Sequence, residues 1–217
     1  MGKGEHSQVP KDVKLYFDTL PHAVQPHLSP DTLALWPAVL GDDEAAKAFA
    51  LLRAELKWAQ PELTVFGKSH PIPRMQSWVG DEAAHYTYSS SAFSPHPWHP
   101  LLRHWAYELS AFLHQPFNSV LANHYRDGKD HMGWHSDDEA ELAPVIAMIS
   151  LGAERELAFK PRRKGEGFKV ALPSGSLLVM GAGLQQQWQH SLPTRARVTQ
   201  GRISLTFRQV YPLHRDP

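Results

Sequence analysis

The chain has 217 residues, enough to bury one good core, and its 22 lysines and arginines balance 22 acids. That neutrality argues against coating nucleic acid through bulk charge, though not against a local basic face. Hydrophobic residues make up 42% and charged residues 20%, and there is no cysteine, which excludes disulfides, thiol nucleophiles, Cys-ligated zinc and iron–sulfur clusters. Any metal site must therefore use imidazole and carboxylate.

In chain order, "MGKGEHSQVPKDVKLYFD" lacks the apolar core of a secretion signal, and position 6 is His where a myristoylation pattern needs Ser or Thr. No apolar run is long enough for a membrane span. The expectation is a soluble protein, cytoplasmic if bacterial, with a nuclear location open if eukaryotic. Residues 1–35 read as a mixed, loop-like extension of unknown role. The remaining 36–217 read as one domain.

"GDDEAAKAFALLRAELKW" predicts a helix from Glu44 to Trp58 with Asp43 as N-cap, because Ala45, Phe49, Leu52 and Leu56 fall at helical spacing. "PELTVFGKSHPIPR" reads as a short strand or turn segment broken by Pro71 and Pro73, and "HYTYS" as an edge strand. "HPLLRHWAYELSAFLHQP" predicts a second helix, Pro100 to Leu113, with a wide apolar face and Pro in its first turn. Beyond Pro116 the pattern changes. "SVLANHYR", "VIAMISL", "ERELAFK", "GFKVAL", "SLLVMG" and "GRISLTFRQV" are six candidate strands. Helices followed by strands predict a mainly-β α+β fold, a double-stranded β-helix or jelly roll with the N-terminal helices packed on one sheet.

The tract "HMGWHSDDE" raises the question of a metal. A 2-His-1-carboxylate set holds iron(II) on one face of its octahedron and leaves three positions open. His135 and Asp137 form a His-x-Asp pair, and His190 of "WQHSLP" follows 55 residues later with strands between to fold back. With 14 histidines in the chain, a solvated acidic turn remains open on spacing alone. His131 and Asp138 suit turn or supporting roles better.

"GRISLTFR" adds a second pattern. Period 2 places Arg202, Ser204, Thr206 and Arg208 on one face and Ile203, Leu205 and Phe207 on the other. Two cations on an inward face need anions, and no acid stands near them in sequence. A small dicarboxylate would match both guanidinium forks; distant salt bridges or an exposed edge are the alternative. "KPRRKGEGFK" sets Lys160, Arg162, Arg163, Lys164 and Lys169 against one acid, Glu166. It reads as a hairpin able to lie along a phosphate backbone, or as a soluble tip.

Together, "VFGK" (65–68), "PR" (73–74), "YTYS" (86–89), "SPHPW" (94–98), "NHYRDGKDHMGWHSDDE" (123–139), "ISLGAERELAFK" (149–160), "HSLP" (190–193) and "RISLTFR" (202–208) resemble the AlkB family of iron(II)- and 2-oxoglutarate-dependent dioxygenases, especially its DNA-repair homologue 2 branch. The resemblance covers about residues 60–210. It implies a nucleotide-recognition segment at about 60–98 and a catalytic jelly roll at about 118–210. It implies iron ligation by His135, Asp137 and His190. Arg202 would grip the distal carboxylate of 2-oxoglutarate and Arg208 the end nearer the metal, with Asn123 and Tyr125 hydrogen-bonded to the co-substrate. The family usually has Asn where this chain has Ser204, so one hydrogen bond to the co-substrate is expected to be lost or bridged by water.

The resemblance further implies oxidative demethylation of 1-methyladenine and 3-methylcytosine in DNA, consuming 2-oxoglutarate and O2 and releasing succinate, CO2 and formaldehyde. Tyr88, with Tyr86 beside it, would stack on a flipped base. Glu139 would line its pocket, Phe66 would wedge into the vacated stack, and Arg74 would serve the pocket or the backbone. For Phe66 a core position, and for Arg74 a surface salt bridge, are the alternatives. Arg162, Arg163 and Lys164 would meet phosphates. Alkylated DNA is the expected partner, with RNA or single strands as runner-up, no membrane, and a monomeric chain. A protein or metabolite hydroxylase and an inactive jelly-roll binding module stay as more distant readings.

Overall fold

The structure is a computed structural model that describes residues 15, 32–65, 67–84, 86–88, 91–139, 141–143 and 145–211, with 63–65, 86–88 and 91–93 described as backbone. Its elements in order are β1 (Leu33–Trp36), α1 (Asp42–Glu55), β2 (Glu62–Val65), β3 (Lys68–Pro71), β4 (Met75–Gly80), β5 (Tyr86–Tyr88), β6 (Ser91–Phe93) and α2 (Pro100–Leu113). There follow β7 (Ser119–Tyr125), β8 (Met132–His135), β9 (Ile146–Gly152), β10 (Arg155–Pro161), β11 (Phe168–Leu172), β12 (Leu177–Met180), α3 (Ala182–Gln187), β13 (Trp188–Leu192) and β14 (Arg202–Arg208).

Two antiparallel sheets organise these strands. The larger runs β1-β12-β9-β14-β7-β4 and the smaller β11-β10-β13-β8; β2-β3 and β5-β6 are separate two-stranded ribbons. β14 lies at the centre of the larger sheet, paired with β7 on one side and β9 on the other. Its alternation decides which layer each residue joins. Ile203, Leu205 and Phe207 enter a core shared with Ala45, Ala48 and Leu52 of α1 and Leu101, Leu102, Trp105 and Leu109 of α2. So both helices pack on one face of the larger sheet, as the sequence led us to expect. A second core, holding Ile146, Met148, Leu178 and Met180 from the larger sheet and Leu157, Phe159, Leu172 and Leu192 from the smaller, joins the two sheets face to face. Among the described residues, no helix is long and apolar enough to cross a membrane.

The predicted second helix matches its observed bounds, with His99 as N-cap accepting from the Leu101 amide. The first is displaced: it begins at Asp42 and its N-cap is Gly41, not Asp43. Asp42, Asp43 and Glu44 instead occupy the first turn, where carboxylates favour the positive end of the helix dipole. β1 pairs with β12, so the expected boundary at residue 35 falls within a strand. The six predicted strands are present. β1, β4, β6, β8 and β13 were not read as strands, and two of these five, β8 and β13, carry metal-ligand candidates.

Candidate metal centre and cavity

β8 and β13 are adjacent antiparallel strands whose register sets His135 directly opposite His190. The imidazoles lie with centroids 4.2 Å apart. Asp137, two residues past His135, turns back so that its carboxylate is 3.6 Å from His190 Nε2 and 4.0 Å from His135 Nε2. One ligand atom from each of the three falls within 4.8 Å of the others. His135 Nδ1 faces the Gly133 carbonyl at 2.9 Å, a contact that takes the proton on Nδ1 and leaves Nε2 as a lone-pair donor. The Asp137 backbone amide donates to Gln185 Oε1 at 3.0 Å, and Ser136 Oγ donates to the Trp188 carbonyl. These bonds hold the turn against α3 and β13.

Electrostatics prepare two of these groups, Asp137 and His190. Burial alone would raise the Asp137 carboxyl, but Arg208, His135 and His190 outweigh it and hold the pKa below its ordinary value. Arg208 Nη2 donates to Asp137 Oδ1 at 2.7 Å, with both side chains almost fully buried. Burial, and then the neighbouring His135, push the His190 imidazole down to about 4 despite Asp137. At neutral pH the site therefore presents an ionised carboxylate and a neutral imidazole, the protonation states a divalent ion requires. This donor set fits iron(II).

The three residues open onto a cavity of about 250 Å³ between the sheets, which also meets Arg74, Asn123, Tyr125, Glu139, Arg202, Ser204 and Arg208. Arg202 is 1% exposed. Its guanidinium donates to Ser150 Oγ at 2.7 Å and to the Leu172 and Ala153 carbonyls at 3.1 and 3.4 Å, while Nε finds no partner. Among the described residues no carboxylate stands within ion-pair distance of it. Burial pushes its pKa down to about 10, so it remains a cation in a wall that supplies only neutral oxygens. Such a group is poised for an anion entering the cavity, and a dicarboxylate fits it.

The same sheet continues this wall through β7 and β4, next to β14. Asn123 Oδ1 accepts from Arg74 Nε at 3.0 Å and from Gln76 Nε2 at 2.9 Å. Arg74 is buried, which overturns the surface salt bridge considered for it. Tyr125 is buried, with Ser204 within hydrogen-bonding reach of its phenol, and burial pushes that phenol's pKa up. Gln76 and Ser150 were missed in the sequence. Gln76 had a signal, since it stands two residues after Arg74 and shares its strand face; Ser150 had none beyond its place in an apolar strand.

Arg162 pairs with Asp138, tying the basic hairpin to the loop that follows the metal pair. Arg163 and Lys164 are exposed at the hairpin's turn. Tyr86 and Tyr88 stand on β5, where only the backbone is described, and Phe66 lies outside the described residues.

A family model described as the 2OG-Fe(II) oxygenase superfamily matches residues 32–208. The DNA oxidative demethylase ALKBH2 of Mus musculus is 40% identical over 200 residues, covering 86% of this chain and 84% of that protein. The Homo sapiens protein of the same name is 39% identical over 188 residues, covering 81% and 72%. The alpha-ketoglutarate-dependent dioxygenase alkB homolog 3 of Bos taurus is 36% identical over 192 residues, covering 83% and 66%. Among solved structures, OsALKBH1 superposes with a TM-score of 0.57 at 17% identity, over 84% of this chain and 98% of that one. That likeness bears on the fold alone.

Proposed function

This chain belongs to the 2OG-Fe(II) oxygenase superfamily, and from that premise we propose that it demethylates alkylated bases in DNA by iron(II)- and 2-oxoglutarate-dependent oxidation. The observation that carries the chemistry is the convergence of His135, Asp137 and His190 on a cavity that also holds the buried Arg202. The DNA assignment draws on the similarity to the DNA oxidative demethylases across most of both chains. With this topology we read the two facing sheets as a double-stranded β-helix, and residues 36–217 as one catalytic domain.

His135, Asp137 and His190 would hold iron(II). With 2-oxoglutarate and dioxygen, the metal supplies oxidation of an N-methyl carbon, and the hydroxylated carbon leaves as formaldehyde. Arg202 binds the far carboxylate of the co-substrate, held in aim by Ser150. Arg208 keeps Asp137 ionised and faces the near carboxylate. Asn123, fixed by Arg74 and Gln76, and Tyr125, beside Ser204, orient the co-substrate between them. Glu139 favours a cationic base such as 1-methyladenine or 3-methylcytosine, whose positive charge its carboxylate offsets. Tyr86 and Tyr88 serve as the stacking side of the base pocket, and Phe66 as the wedge behind the flipped base. Arg162, Arg163 and Lys164 contact phosphates.

The test is omission. A 1-methyladenine oligonucleotide is incubated aerobically with the full chain, iron(II) and 2-oxoglutarate, then with each reagent left out, and its mass is read. Loss of one methyl substituent only in the complete mixture supports the proposal. Removal without 2-oxoglutarate would sink the mechanism. Succinate formation with the oligonucleotide untouched would sink the substrate.

A further inference from the structure

Trp134 immediately precedes the metal-ligand candidate His135 on β8, the edge strand of the smaller sheet. Strand alternation sends His135 into the cavity and Trp134 to the outer surface, where it is 45% exposed. It belongs to none of the buried hydrophobic clusters. Another exposed aromatic of this sheet, Phe168, is held by its neighbours: it stacks on Phe159 at 4.9 Å and meets the edge of Trp188 at 5.1 Å. Trp134 instead has a cation, with Lys160 Nζ 4.6 Å from its ring centroid. Lys160 opens the basic hairpin that continues through Arg162, Arg163 and Lys164. An open indole, an ammonium beside it and a run of positive charge leading away are the components of a nucleic-acid stacking surface.

We propose that Trp134 and Lys160 form a platform outside the catalytic cavity that stacks a nucleobase of single-stranded DNA flanking the target nucleotide. The proposal rests on the nucleic-acid reading of the function given above. A base inside a duplex already has both faces covered, and could reach Trp134 only after a second unstacking beyond the one that delivers the target. A base in a single strand has a free face. The platform therefore discriminates between the two substrate forms, and Lys160 meets the adjoining phosphate. Because the chain carries no net charge, bulk attraction is weak and stacking supplies the salt-insensitive part of the affinity.

The test is fluorescence anisotropy with the full chain, using a labelled unmodified oligothymidine and a blunt duplex, at low and raised salt. Trp134→Ala is expected to weaken single-strand binding roughly 5- to 150-fold, the worth of one base–aromatic stack. The loss should persist at raised salt, and duplex affinity should move by less than about twofold. Trp134→Phe restores most of the loss, and Lys160→Gln gives a loss that shrinks as salt rises. Tyr107→Ala, which removes an aromatic 74% exposed on α2, binds like the parent.

Unchanged single-strand binding in Trp134→Ala, equal losses on both forms, or no single-strand binding by the parent would each overturn the platform. A larger loss on RNA of the same length would replace its occupant. Since these probes carry no lesion, the platform can stand while demethylation fails, and fail while demethylation stands.

Discussion

Replacing Arg208 by Met tests whether the buried carboxylate at the metal site depends on its guanidinium. Arg208 Nη2 and Asp137 Oδ1 are 2.7 Å apart, and the two side chains are 4% and 7% exposed. Removing one member of such a pair leaves the other charge uncompensated, at a cost of about 3–5 kcal/mol. Metal-free Arg208→Met should lose that amount in urea unfolding at neutral pH. Two controls separate charge from packing. In an Asp137→Asn background the same change should cost about 2 kcal/mol less, because the carboxylate is already gone. With saturating Mn(II) the gap between parent and variant should narrow, because a divalent ion then compensates Asp137 and makes a neighbouring guanidinium less favourable. A loss under about 1 kcal/mol in the metal-free protein, or the same loss in all three settings, would refute the electrostatic account.

The His190 imidazole, pushed down to about 4 from 6.5, binds its proton more readily in the unfolded chain. Its contribution is fully present above pH 6.5 and is lost as pH falls toward 4. Metal-free protein should thus lose about 3 kcal/mol across that window, and His190→Asn should flatten the slope. Arg202→Gln should weaken 2-oxoglutarate binding roughly 10- to 100-fold, and Ser150→Ala about fivefold, as read from co-substrate titrations of succinate formation. Neutralising Arg162, Arg163 and Lys164 together to Gln should reduce the salt slope of DNA binding by up to roughly 3, measured by anisotropy at several salt concentrations.

The parts of this molecule legible in the sequence are those with local signatures. β14 declared its two faces because Arg202, Ser204, Thr206 and Arg208 alternate with Ile203, Leu205 and Phe207, and the structure sends the first set to the cavity and the second to the helices. The second helix was legible from its apolar face and Pro100. The metal set was legible as types and spacing, but what brings it together, the pairing of His135 with His190, is a long-range register that no local pattern reports. β8 and β13 were overlooked for a physical reason. Each is short, four and five residues, and a ligand histidine stands at an inward position beside Met132, Trp188 and Leu192, so the hydrophobic alternation that marks a strand is interrupted where the site is built. Arg155 is a similar case. It sits in the predicted strand "ERELAFK" with no role assigned, but is buried and donates to the Asp130 and Pro193 carbonyls, tying the loop before β8 to the loop after β13.

Oxidation at this metal site should remove the methyl group from a DNA base, and the decisive measurement counts products in one reaction: repaired base, formaldehyde and succinate from an oligonucleotide with a single 1-methyladenine, for the parent and for His135→Ala. One formaldehyde and at least one succinate per repaired base are expected, with none of the three above background in the variant. Repair without formaldehyde, or repair undiminished in His135→Ala, would contradict this chemistry.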